Sequence, residues 1–248
     1  MRHMASEPAL QVAGLTFAYP GSAAALDNIH FQVCASETIG VVGPNGAGKT
    51  TLFLCLAGVL SVKPGQVRLA GLDPAVRVDR SLLPAKVGIV FQSSDDQLFS
   101  TTVGDDVAFG PLNLGLPPSE VRARVAEALA KVGLAGFEDR VPHHLSGGEK
   151  RRAAIAGVLA MRPDILLLDE PSMFLDPRGR RELIALLREL GGTQIIATHD
   201  LDMVLDLCGR VLVLDKGRLI ADDGAEKVLA DERLMNAHGL EVPYRLRK

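Results

Sequence analysis

Apolar and polar positions alternate along this chain in short, separable blocks. Apolar runs bounded by turn residues read as strands over residues 10–19, 29–33, 67–70 and 87–91, and again over 165–168, 195–198 and 211–214. Pro20-Gly21 separates the first two. The run at 39–42 has no polar alternation, as in a strand buried on both faces of a parallel sheet. Helical periods fall between these runs. One covers 51–60, and a clear amphipathic helix opens at Pro117-Pro118-Ser119-Glu120, runs through Val132 and is closed by Gly133. Another covers 148–161 and stops before Pro163. Thr102-Val103-Gly104-Asp105 has the form of a capping box with an acidic closer. Asp215-Lys216-Gly217 is a hairpin turn into 218–221. A short helix over 231–238 is capped by Asp231 and closed by Gly239. The pattern predicts an α/β core over residues 9–94 and 162–225, a helical lobe inserted at 95–161, and a C-terminal helix and tail over 226–248. Residues 1–8 read as a loose tail.

Composition narrows this picture without changing it. The 248 residues, 47% of them hydrophobic, suffice for a sizeable core. A net charge of −3 and the absence of like-charge runs argue against a nucleic-acid partner. Cys34, Cys55 and Cys208 are widely spaced, lack a metal-ligand pattern and fit a reducing compartment. No stretch of about 18 apolar residues is free of charges or breaks, so no membrane span is expected.

The chemistry starts after the run at 39–42. Gly43-Pro44-Asn45-Gly46-Ala47-Gly48-Lys49-Thr50 is a strand–glycine loop–helix phosphate cradle. Backbone N–H groups and a helix N-terminus face the phosphates, Lys49 reaches the β/γ-phosphates, and the Thr50 hydroxyl binds Mg²⁺. Ile165-Leu166-Leu167-Leu168-Asp169-Glu170 is an apolar strand delivering two carboxylates at its carboxyl end, where open α/β sheets bind ligands. Asp169 suits Mg²⁺, and Glu170 suits the attacking water. Gln92 and His199 each follow a predicted strand. Gln92 reads either as a loop glutamine or as an Mg²⁺ ligand. His199 reads either as a structural histidine or as a γ-phosphate contact. Tyr19 presents either packing or a face for a purine base.

Leu145-Ser146-Gly147-Gly148-Glu149 is a second glycine-rich element, which a one-chain nucleotide site does not need. Ser146 can N-cap the helix that follows, and a glycine-flanked helix N-terminus is also an anion site. With Lys49 and Mg²⁺ already on the near side of the γ-phosphate, this second site is expected to serve the nucleotide of another chain.

Taken in order, these motifs with Leu175-Asp176 and His199 resemble the ATPase subunit of ABC transporters over about residues 10–225. The resemblance implies a single domain with a P-loop NTPase (RecA-like) core, an N-terminal antiparallel β subdomain and an inserted α-helical subdomain. It implies ATP with Mg²⁺ as cofactor, Mg²⁺ being held by Thr50, Gln92 and Asp169. It makes Tyr19 the adenine-stacking aromatic, Thr51 a phosphate contact and Asp176 the residue coupling two sites. Ser146, Gly147, Gly148 and Glu149 would bind ATP from across a head-to-tail homodimer. Val90-Phe91-Gln92-Ser93-Ser94-Asp95-Asp96-Gln97-Leu98-Phe99, Asp105-Asp106-Val107-Ala108-Phe109-Gly110-Pro111 and Thr198-His199-Asp200-Leu201-Asp202-Met203-Val204-Leu205-Asp206 are similar to the energy-coupling-factor type. Ala237-His238-Gly239-Leu240-Glu241-Val242-Pro243 is similar to its cobalt/nickel uptake branch. That branch implies an integral-membrane coupling protein, a substrate-capturing membrane subunit and a peripheral place on the cytoplasmic membrane face. Residues 95–109 would then help form a groove for coupling helices, with a core reading for Leu98 and Phe99 standing beside it.

Three residues depart from the family pattern. Glu149 stands where many relatives have Gln, and Met173-Phe174 replaces small residues before Leu175-Asp176. Other classes fit less well. About 75 residues separate Gln92 from Asp169, too few for the long insertions of DNA-repair relatives. A single cassette does not match paired-cassette translation factors, and a P-loop kinase leaves Ser146 and His199 unexplained.

Overall fold

The computed structural model describes residues 8–247, so residues 1–7 of the expected tail lie outside the described residues. From the amino end, β1 (Leu10–Ala18) and β2 (Ala24–Val33) form a hairpin, followed by β3 (Thr38–Val42) and α1 (Lys49–Leu56). Then come β4 (Val67–Leu69), α2 (Arg77–Leu82) and β5 (Val87–Val90). Three longer helices follow, α3 (Val103–Asn113), α4 (Pro118–Lys131) and α5 (Gly147–Leu159). The chain then alternates through β6 (Ile165–Asp169), α6 (Pro177–Leu190), β7 (Thr193–Ala197), α7 (Leu201–Leu207) and β8 (Arg210–Asp215). It ends with β9 (Arg218–Gly224), α8 (Ala225–Leu229) and α9 (Glu232–Ala237).

The fold is α/β. Strands β2-β1-β4 make an antiparallel sheet, and β5-β6-β7-β3-β8-β9 make a second sheet, parallel from β5 to β8 with β9 antiparallel at its edge. Alternate residues of the central strands feed two cores. Ile39, Val41, Ile165, Leu167, Ile195 and Ala197 pack with α1 and the antiparallel sheet on one face. Val42, Leu166, Leu168, Ile196, Val211 and Val213 pack on the other face with α5, α6 and α7. Burial on both faces explains the unbroken apolar runs in the sequence.

Helices α3, α4 and α5 pack on one another, and α5 also lies against β5. Gly88 makes that approach possible, because a Cβ there would sit 2.2 Å from Val158 Cγ1. Thr102 caps α3 by accepting from Asp105 N. The Asp105 carboxylate, however, takes the Thr102 hydroxyl at 2.7 Å rather than the backbone N–H that closes a capping box. Helix α6 is an addition to the helices expected from the apolar pattern, although Leu183, Ile184, Leu186 and Leu187 form a buried stripe along it.

The same register brings strand ends together. Val41 pairs with Ala197 and Asp169 pairs with Ala197, so the loops after β3, β6 and β7 leave the sheet side by side. Helix α1, which carries Lys49, is pinned beneath them by the fully buried Phe53. Phe53→Ala is expected to cost about 3–5 kcal/mol through the cavity it leaves, read as a lower denaturant midpoint with an unchanged slope.

Candidate nucleotide site

Residues from four strand ends and the first hairpin line one groove of about 950 Å³: Tyr19, 43–51, Gln92, Asp169, Glu170 and His199 all face it. The groove thus gathers every residue that the sequence assigned to one chain's own nucleotide.

The loop between β3 and α1 ends at Gly48, whose φ of 104° is the left-handed backbone open to glycine. A side chain there would also strike Ala25 O at 2.7 Å. Lys49 Nζ donates to Gly43 O at 2.8 Å and to Pro44 O at 3.3 Å, so its ammonium arches over the loop. Burial pushes the Lys49 pKa down, while the charges of Glu170 and Asp169 pull it back up. Thr51 is buried behind the loop and contacts the Tyr19 hydroxyl at 3.3 Å. Phe17 meets the Tyr19 ring edge-on with centroids 5.1 Å apart. Tyr19 is therefore held from behind while remaining 40% exposed.

Thr50 Oγ1 donates to Asp169 Oδ2 at 2.8 Å. The other carboxylate oxygen, Asp169 Oδ1, is buried without a hydrogen-bond partner among the described residues. Burial pushes the Asp169 pKa up, opposed by the Thr50 hydroxyl bond and reinforced by the charge of Glu170. An orphaned carboxylate oxygen beside a hydroxyl is a hard oxygen donor set of the kind Mg²⁺ takes together with phosphates and water. The residues present therefore fit that ion. Gln92, the third expected ligand, rests its amide on Met173 Sδ at 2.8 Å, a weak acceptor that leaves the amide easy to withdraw. Met173 thus has a contact of its own at the site.

Glu170 is tightly held. Its φ is 46°, a strained value for a residue with a side chain, and its N–H donates to Ala197 O at 2.8 Å. Its Oε2 receives the Thr198 hydroxyl at 3.1 Å, the His199 N–H at 3.2 Å and His199 Nδ1 at 2.8 Å. A carboxylate only accepts, so His199 Nδ1 is the donor and Nε2 is left toward the groove. The second carboxylate oxygen, Oε1, is left free of these three bonds.

Ser146, Gly147, Gly148, Glu149 and Asp176 lie elsewhere. They line a separate groove of about 470 Å³ with Arg152 and Phe174. Ser146 N-caps α5 in a full capping box with Glu149. Glu149 takes the Ser146 hydroxyl at 2.7 Å, and these hydrogen bonds hold its pKa below the usual carboxylate range. Asp176 caps α6 by accepting from Gly179 N at 2.6 Å. Phe174 stands beside them 82% exposed with φ 63°, an unusual place and conformation for an aromatic side chain.

Some residues at or behind the groove escaped the sequence reading. Thr198 is fully buried and bonds Glu170, and a signal existed in its position next to His199 at a strand end. Gly239 and Leu240 reach the rim of the first groove from behind α9, and no local pattern announces that return.

The chain is similar to known proteins over most of its length. Residues 26–173 match the family described as ABC transporter. An energy-coupling factor transporter ATP-binding protein of Methanothermobacter thermautotrophicus is 48% identical over 238 residues, covering 94% of this chain and 76% of that protein. The structure of cbiO1 from Clostridium perfringens, described as part of the ABC transporter complex cbiONQ, gives a TM-score of 0.81 at 40% identity, over 93% of this chain and 94% of that one. A dimeric ATP-binding cassette in a post-hydrolysis state, bound to ADP and Pi, gives a TM-score of 0.76 at 25% identity, over 87% of this chain and 98% of that one.

Proposed function

Because this chain belongs to the ABC transporter family and is an ATPase, we propose that it powers an energy-coupling-factor importer for cobalt or nickel ions as a head-to-tail homodimer. The observation that carries the dimer is the pair of grooves. One chain holds a nucleotide groove around Lys49 and, apart from it, a helix N-terminus at Ser146-Gly147-Gly148. In a head-to-tail pair, the Ser146 groove of each chain covers the Lys49 groove of the other. The dimeric cassette with ADP and Pi supports this arrangement.

Each site then divides its work among named groups. The loop N–H groups and Lys49 bind the phosphates, Thr51 backs them, and Tyr19 stacks on the base. Thr50, Asp169 and Gln92 hold Mg²⁺, which when bound offsets phosphate charge. Glu170 takes a proton from the attacking water, and His199 meets the γ-phosphate by donating from Nε2–H in the doubly protonated ring, the form in which both nitrogens are donors. Ser146, Gly147 and Gly148 from the second chain donate to the same phosphate, with Glu149 at the edge. Charge-assisted bonds of this kind contribute roughly 1.5–3 kcal/mol each, enough for ATP to close a weak dimer and for phosphate loss to release it. Asp176, at the start of α6, links the two sites.

The membrane side of the reading rests on a different surface. An apolar cavity of about 520 Å³ lies between β5, α3 and α5, lined by Leu98, Phe99, Phe109 and Met161 among others. Leu98 is buried, while Phe99 and Phe109 are exposed at its mouth, edge-to-face with centroids 5.0 Å apart. This surface suits helices of an integral-membrane coupling protein, which binds beside a substrate-capturing subunit. Among the described residues no helix is long and apolar enough to cross a membrane, so attachment at the cytoplasmic face would be through those partners. The cobalt/nickel assignment rests on the similarity of residues 237–243 to that branch.

The test is to purify the chain from detergent-solubilised membranes of its host, reconstitute the complex in vesicles and measure uptake. ATP-dependent Co²⁺ or Ni²⁺ uptake is the expected result. Uptake of a vitamin instead keeps the ATPase reading and removes the metal. Recovery without any membrane protein, with ATPase stimulated by DNA, removes the transport reading. At the base site, aromatic stacking is worth about 1–3 kcal/mol. Tyr19→Ala is expected to weaken nucleotide binding roughly fivefold or more, read by titration with a fluorescent ATP analogue.

A further inference from the structure

Arg151 lies on α5, one turn and a half beyond Ser146, and is only 2% exposed. Among the described residues no carboxylate hydrogen-bonds it. Its Nη1 donates to Phe91 O at 2.7 Å and its Nη2 to Gln92 O at 2.5 Å, while Nε is buried without a partner among those residues. Burying a guanidinium costs more than burying an unbranched apolar side chain of similar length. Packing alone therefore does not account for it. Both well-aimed donors are spent on the backbone immediately after β5, where Gln92 leaves the sheet. The preceding residue, Lys150, reaches the same segment from the surface, bonding Asp95 Oδ1 at 2.6 Å. Two consecutive residues of α5 thus grip the stretch 91–95.

We propose that Arg151 is a positioning residue of the ATPase: its guanidinium clasps the Gln92 backbone to the helix that starts at Ser146. The amide that meets one ATP and the helix N-terminus that meets the other then move as one rigid unit. A shift of α5 when Ser146 engages the second nucleotide is carried directly to Gln92 at the first. The proposal rests on the roles given above to Gln92 and Ser146.

A double-mutant cycle on the full-length chain tests it. Steady-state kcat, KM for ATP and the half-saturating Mg²⁺ concentration are measured for Arg151→Met, Arg151→Lys, Gln92→Ala and the Gln92→Ala/Arg151→Met double variant. Arg151→Met is expected to lower kcat roughly tenfold or more with KM within about threefold, and to raise the Mg²⁺ requirement. Arg151→Lys should recover part of kcat. If Arg151 acts through Gln92, the double variant is no more than about twofold slower than Gln92→Ala alone. Losses that multiply in the double variant overturn the clasp, as does an Arg151→Met kcat within about twofold of the parent. Unchanged activity in Gln92→Ala removes the role of Gln92 itself and the proposal with it. Should Arg151→Met not fold, the same cycle is run with Arg151→Gln, which also removes the guanidinium fork, with the same two outcomes.

Discussion

Glu170→Gln is expected to bind ATP with Mg²⁺ normally and to hydrolyse it about 10²–10⁴-fold more slowly. The geometry explains why Gln is the informative replacement. Oε2 of Glu170 accepts from the Thr198 hydroxyl, the His199 N–H and His199 Nδ1. A glutamine Oε1 can keep those three bonds, so the strand ends after β6 and β7 stay in place. What disappears is the basic carboxylate oxygen that those bonds leave free. The strained backbone at Glu170, with φ 46°, is unaffected because the main chain is the same. ATP then persists between two chains, and light scattering behind a sizing column should report a dimer with ATP and a monomer without it. A protein that stays monomeric at saturating ATP contradicts the shared site. A variant that hydrolyses at the parent rate contradicts the assignment of the base.

The parts of this site that sequence alone disclosed are those whose chemistry is written in consecutive residues. The strand and cradle from Ile39 to Thr50 and the strand ending in Asp169-Glu170 are each a single short contiguous run. His199 and Gln92 were legible as polar residues at strand ends, but that they face one groove needed the register that sets those ends side by side. Arg151 was invisible because its partners are backbone carbonyls 59 and 60 residues away, which no pattern encodes. Gly239 and Leu240 return to the groove only through tertiary packing. Glu149 is the opposite case. Ser146-x-x-Glu149 is the spacing of a capping box, and the structure forms one. Gln can close the same box, so what the departure to Glu adds is a negative charge at the N-terminus of α5. The box also sets a condition on function. The Ser146 hydroxyl donates to Glu149 at 2.7 Å, so it must turn away from that carboxylate before it can donate to a partner's phosphate.

Mixing two dead variants gives the sharpest reading of the paired grooves. Lys49→Met removes the ammonium over the phosphate loop, and Ser146→Arg blocks the helix N-terminus of α5. Each variant alone is expected to lose nearly all hydrolysis, since every site in its homodimer lacks one of the two groups. Loss of Ser146 also removes a helix cap, worth about 0.5–2 kcal/mol, so Ser146→Arg must first be shown to remain folded and to bind ATP as a monomer. In the heterodimer the defects segregate. One site sets the loop altered by Lys49→Met against the helix altered by Ser146→Arg and is dead twice over. The other combines the native Lys49 of the Ser146→Arg chain with the native Ser146 of the Lys49→Met chain and is whole. Random pairing of equal amounts makes half the dimers mixed, each with one intact site of two. Activity should therefore rise to about one quarter of the parent level if the sites fire independently. A one-chain site predicts no rescue at any ratio, because neither chain carries both groups. Adding Glu170→Gln to the Ser146→Arg chain separates the remaining possibility. That substitution falls in the site containing native Lys49 and native Ser146, and it should abolish the rescue. The same substitution in the Lys49→Met chain falls in the site already lost and should leave the rescue unchanged.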